Sequence, residues 1–187
     1  AMLINGGFGV VLTLWIFLVV KDQPEGFADQ AEHESRAIKS LGVRKSMTSV
    51  LFKLQNWLGG LFTSLLNLPI YLLGGMWGTL FLTQIYHYSP VKAGMVAGMV
   101  FFGTIFGSPA MGWISDRLGR RKLPMLVSGF IALAAVLIII YVPNLSYVSL
   151  LLLFFLLGFI TSAQVISYPM VAESNPRALT GTAVSIV

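Results

Sequence analysis

The chain has 187 residues, 56% of them hydrophobic and 10% charged, and it contains no cysteine. That apolar content exceeds what one soluble core of this length hides, and the missing cysteine excludes disulfide frameworks and Cys-based zinc sites. The net charge of +5 raises nucleic acid as a partner, but basic residues set between long apolar runs are accounted for by membrane topology, so no nucleic-acid partner is expected.

Residues 3–20 carry no charge and are just long enough to cross a hydrocarbon core, which takes about 20 helical residues. They lack the basic region and A-x-A cleavage site of a signal peptide, so they read as a span. Residues 21–56 are polar, first acidic (Asp22, Glu25, Asp29, Glu32, Glu34) and then basic (Arg36, Lys39, Arg44, Lys45, Lys53). Their end, MTSVLFKLQNW, suits an amphipathic turn at the interface. Residues 58–86 are uncharged again and long enough to imply tilt or extension beyond the bilayer, with Pro69, Gly74 and Gly75 giving them the means to bend.

After the short polar turn HYSPVK, residues 93–114 form a third span with small residues recurring at Gly94, Gly98, Gly103 and Gly107, a device for close helix packing, and with Pro109 expected to bend it. Residues 124–142 form a fourth, closed by PNLS, and residues 147–172 a fifth. Beyond ESNPR the chain turns apolar at Ala178 and ends at Val187, about half a span later. The expectation is a piece of a longer protein.

Alternating spans put six Lys and Arg of residues 21–56, four of residues 115–123, and Arg177 on one side, against Lys92 alone on the other. By the positive-inside rule the charged loops face the cytoplasm and the first residue lies outside, in a multi-pass protein of the plasma or inner membrane. Within this pattern GWISDRLGRRK, residues 112–122, concentrates five charges. Topology needs only the cations. Gly112 allows close backbone approach, Gly119 can take a turn conformation that a Cβ penalises, and Asp116 adds nothing to orientation, so a salt-bridge or helix-terminus role is expected of it.

This stretch resembles the loop motif of the major facilitator superfamily, roughly G-x-x-[SA]-D-R-x-G-R-[RK]-[RK], found between the second and third helices of a six-helix half. VAESNPRALTGTA, residues 171–183, is similar to that family's E-x-x-P-x-x-R-G junction, although Arg177 directly follows Pro176. The resemblance implies an all-α membrane bundle of about five complete helices and the start of a sixth. Residues 1–20 would be the last helix of an N-terminal half, residues 21–56 the central cytoplasmic loop, and residues 57–187 helices seven to ten with the start of eleven. It further implies alternating-access transport of a small solute by a symporter or antiporter, a preceding half in the same polypeptide, and a conformational latch built from Gly112, Asp116, Arg117, Gly119, Arg120, Arg121, Glu173 and Arg177. Arg117 or Arg121 would pair with Glu173, and Asp116 would face the other half. Asn175 and Pro176 also suit the opening of a new helix as N-cap and N1.

Polar residues inside the spans are candidates for a solute cavity, because each needs a partner or water. They are Asn67, Tyr71, Trp77 and Gln84 in the second span, with Asn67, Tyr71, Gly74 and Gly78 at one-face helical spacing, and Gln164 and Tyr168 in the fifth. No Asp, Glu, Lys or Arg lies deep in a span, so a coupling ion would need its ionisable group elsewhere. Metalloprotease, hydrolase, P-loop and dinucleotide motifs are absent, and no enzyme activity, cofactor or metal is expected. The competing readings are multidrug efflux, or a non-transporting receptor or assembly subunit on the same fold.

Overall fold

The computed structural model describes residues 2–19 and 42–187. The acidic half of the polar segment, with Arg36 and Lys39 of the basic half, lies outside the described residues. The chain divides into two compact units. The first contains α1, Met2–Val19, an uncharged helix over nearly the whole of the first expected span.

The second unit opens with α2, Val43–Leu51, and an extended Lys53 before α3, Leu54–Pro69. Pro69 brings no N–H and crowds the preceding turn, so the ladder loosens. The next residues, Ile70–Met76, wind as π-helical turns, and the helix breaks at Trp77, whose N–H bonds five residues back to Leu72 O at 2.7 Å. The chain resumes as α4, Gly78–Ile85. The bend expected of residues 58–86 is there, but it takes the form of widened turns and a break.

Ser89 caps α5, Pro90–Leu118, with Pro90 in its first turn. At 29 residues this helix runs about 44 Å, longer than the hydrocarbon core is thick. Pro109 lies within it without interrupting it. Gly119, at φ +59, ends it in the left-handed conformation that the residue type permits at no steric cost. The charged stretch is therefore mostly helix: Asp116 and Arg117, expected in the loop, occupy the last turn of α5, because ISDRL contains nothing that stops a helix before the glycine.

After that tight turn come α6, Lys122–Tyr141, a turn through Asn144 at φ +57, and α7, Tyr147–Thr161, capped by Ser146. The fifth expected span is not one α-helix. It tightens into a 3-10 turn over Ser162–Ile166 and continues as α8, Ser167–Ser174. A further 3-10 turn, Arg177–Leu179, leads to α9, Thr180–Val184. There is no strand among the described residues, and four helical stretches are long and apolar enough to cross a membrane: Leu54–Met76, Pro90–Leu118, Lys122–Tyr141 and Tyr147–Ser174.

The core forms where α5 meets α7. Val96, Val100, Leu150, Phe154 and Leu157 are fully buried there. Backbone approach is close because Gly103 and Gly107 leave room for the Phe155 and Phe159 backbone, and Gly158 leaves room for Val100 O. Gly94 and Gly98, expected to serve the same contact, do not: a Cβ on either meets nothing within 4 Å. Nine residues separate Gly94 from Gly103, two and a half turns at 3.6 residues per turn, so the two glycine pairs point to opposite sides of α5.

Candidate functional site

The helix ends bearing the charged stretch meet at Arg121. Gly119 turns the chain sharply out of α5, so Arg121 reaches back over the last turn. Its Nη1 donates to Asp116 Oδ1 at 2.5 Å and to Ser115 Oγ at 3.0 Å. The other edge of the guanidinium forks onto Glu173 near the end of α8, Nη2 to Oε1 at 2.7 Å and Nε to Oε2 at 3.3 Å. One planar cation thus bridges two carboxylates and a buried hydroxyl on two helices, which its rigid donor fork suits and an ammonium would not. The hydrogen bond Arg121 donates to Glu173, then that to Asp116, raise its pKa above the ordinary value. Arg121 is 22% exposed and Asp116 69%, so the cation is enclosed while the Asp116 carboxylate still faces outward.

Glu173 pairs with Arg121 and not with Arg117. Arg117 lies one turn from Trp113 and stacks over its ring at 5.1 Å. Arg120 and Arg177 are exposed and pair with no described carboxylate. Gly119 has the turn conformation expected of it. Gly112 does not have the close neighbour expected of it, since a Cβ there meets nothing within 4 Å. Asn175 caps no new helix with its side chain. The amide turns back and donates to Val171 O and to Asn56 Oδ1, each at 2.8 Å.

That last contact belongs to a second polar cluster at the junction of α3 and α8. Asn56, fully buried, donates to Val50 O at 2.9 Å. Lys53 Nζ donates to Ser174 O. Sequence reading passed over Lys53 and Asn56 because their partners lie about 120 positions away. The available signal was charge of the wrong sign: a lysine just before a helix start and a glutamate in a last helical turn.

The cavity candidates are dispersed. Tyr71 is 65% exposed, Asn67 is half-buried, and Gly74 faces Phe101 of α5, so Asn67, Tyr71, Gly74 and Gly78 do not form the single face expected of them. The π-helical turns rotate each later position away from its α-helical place. Trp77 and Gln84 share a pocket of about 430 Å³ with Phe81 and Ile139. Gln164 lies in the 3-10 turn with Oε1 buried and without a hydrogen-bond partner, and Tyr168 is exposed on α8. Close to these residues Thr63 Oγ1 and Ser167 Oγ meet at 2.6 Å, both buried, joining α3 to α8.

A sequence profile of the Major Facilitator Superfamily matches residues 1–187. The chain belongs to the Major Facilitator Superfamily. Among curated proteins it is similar to the inner membrane metabolite transport protein YgcS of Escherichia coli (strain K12), 43% identical over 42 residues, covering 22% of this chain and 9% of that protein. It is also similar to the arabinose-proton symporter of Bacillus subtilis (strain 168), 36% identical over 56 residues, covering 30% of this chain and 12% of that protein. The matched stretches thus span about a tenth of each relative's length. No solved structure matches the chain significantly. Family membership and four spanning helices make this a multi-pass membrane protein.

Proposed function

We propose that the chain is part of a secondary transporter that moves a small metabolite across the membrane by alternating access, and that Asp116, Arg121 and Glu173 form the latch on its cytoplasmic face. The observation that carries this reading is the Arg121 bridge. It holds the ends of α5, α6 and α8 together while leaving Asp116 open to a partner, and in this proposal the partner is a preceding six-helix half, the two halves rocking about a central site. The excess of cations in the loops supports a cytoplasmic placement. The relatives' names favour metabolites, sugars among them, as the solute class. With no Asp, Glu, Lys or Arg deep in the spans, a proton-coupling carboxylate, where coupling exists, belongs to the other half.

The test is uptake by cells expressing the whole protein, offered a pooled set of metabolites read by mass spectrometry, with Asp116→Asn and empty vector as comparisons. The reading predicts at least one metabolite whose level changes with the wild type and not with Asp116→Asn at equal surface expression. No change in any metabolite, with both proteins at the membrane, would favour drug efflux or a non-transporting role.

A further inference from the structure

Lys53 and Glu173 are each placed against the dipole of their own helix. Lys53 is at the N-cap of α3, where a cation is disfavoured, and Glu173 is in the last turn of α8, where an anion is disfavoured. Neither helix places an opposite charge in that turn to offset the mismatch. The cost is reduced only between helices: Lys53 Nζ donates to Ser174 O at the open end of α8, next to Glu173, whose carboxylate Arg121 takes. Residues that break local rules in this way mark places where a long-range arrangement is being enforced.

Asn56 extends the arrangement in the other direction. Val50 O can only accept, so the Asn56 Nδ2 must face it and Oδ1 must face the Asn175 Nδ2. The Trp57 indole N–H donates to Leu51 O at 2.6 Å. Two side chains from the first turn of α3 thereby take the last carbonyls of α2, which that helix cannot satisfy itself. Unbroken hydrogen bonds run from the end of α2, through Asn56, to Asn175, two residues from Glu173. Lys53, Gln55, Arg121, Lys122, Glu173 and Ser174 border one crevice of about 910 Å³, so both clusters stand around one space.

We infer that Lys53 and Asn56 are positioning residues for the Arg121–Glu173 pair, acting through Ser174 and Asn175, and that they tie the segment entering α3 to the state of that pair. This deepens the latch reading and rests on it for its role in transport. The physical coupling can be measured without transport, because coupling between two sites is reciprocal: releasing Glu173 must loosen the end of α2.

The experiment is hydrogen exchange of residues 43–52 in the intact protein in lipid nanodiscs. Glu173→Gln is expected to speed exchange there about five- to tenfold, as when one charge-assisted contact no longer opposes local opening. In an Asn175→Asp background, where a carboxylate faces Asn56 Oδ1 and Val171 O, exchange is already fast and Glu173→Gln adds nothing further. Lys53→Met supplies the same background if Asn175→Asp does not fold, and Lys53→Arg, which can still donate to Ser174 O, keeps the response. In uptake assays Lys53→Met lowers maximal rate with the solute KM retained, whereas Lys53→Arg does not. An unchanged exchange rate in Glu173→Gln, or effects of the two substitutions that simply add, overturns the coupling even where Glu173→Gln abolishes transport. Coupled exchange with normal transport in Glu173→Gln overturns the latch reading and leaves the coupling in place.

Discussion

Arg121 and Glu173 stand 52 positions apart and meet through two parallel N–H···O contacts, while the same guanidinium holds Asp116. The two carboxylates would repel without the cation between them, so the pair sets the geometry of all three helix ends. Removing the cation should therefore do more than remove one ion pair.

Arg121→Lys keeps the charge and loses the fork. A lysine can face Glu173 or Asp116 but cannot bridge both in the same plane. The expected result is transport reduced by about tenfold, the scale of one lost charge-assisted hydrogen bond, with surface expression unchanged. Arg117→Lys should leave transport within about twofold, because its partner is the Trp113 ring, a contact worth about 0.5–1 kcal/mol at an exposed site. Parallel uptake assays on the two variants check this.

The raised pKa of Arg121 fixes how its bridge to Glu173 and Asp116 responds to alkaline pH. A cation whose folded value exceeds its unfolded value stabilises fully below the unfolded value and loses that contribution only as pH rises through the folded one. Both lie above any working pH for arginine, so the contribution of the Arg121 bridge to stability should stay constant up to about pH 10. Arg121→Lys, carrying a group that titrates at about 10.4 when unperturbed, should bring alkaline sensitivity of the bridge into reach. Thermal unfolding followed between pH 8 and pH 11 would distinguish the two.

The glycines at the α5–α7 contact and the pair Gly94 and Gly98 on the other side of α5 should respond differently to a methyl group. Gly107→Ala places a Cβ against the Phe159 backbone and Gly158→Ala one against Val100 O, and backbone cannot move aside as a side-chain end can. Each is expected to destabilise by about 1–3 kcal/mol. Gly94→Ala and Gly98→Ala should stay within about 0.5 kcal/mol. Denaturation in mixed micelles provides the comparison.

Thr63→Val tests the buried hydroxyl pair. Ser167 Oγ also donates to Gln164 O at 2.5 Å, so it retains a partner when Thr63 loses its hydroxyl. The expected loss is below about 1 kcal/mol, in the usual range for hydroxyl contacts between membrane helices. A much larger loss would mean that this contact positions the 3-10 turn of the divided span.

The spans were legible because charge is absent from them, and the turn at Gly119 because only a glycine suits it. The end of α5 was not, since ISDRL is as compatible with helix as with loop. Pro69, Gly74 and Gly75 announced a bend, but not the π-helical turns that carry Tyr71 and Gly74 off a common face. In the charged stretch, sequence narrowed the partner of Glu173 to Arg117 or Arg121. Trp113, four residues before Arg117, decided the matter by occupying one of them. Asn56 and Asn175 could not be paired from sequence, because side-chain amides carry no charge pattern that names a partner 119 positions away.

The most direct measurement is uptake by the charge-exchanged variant Arg121→Glu with Glu173→Arg, set against Glu173→Arg alone, at matched surface expression. In the single variant two arginines face each other and transport should be lost. In the double variant the arginine at position 173 lies between the glutamate at position 121 and Asp116, restoring the bridge with its polarity reversed, and partial recovery of transport is predicted. Equal loss in both variants, with both folded at the membrane, would contradict the latch.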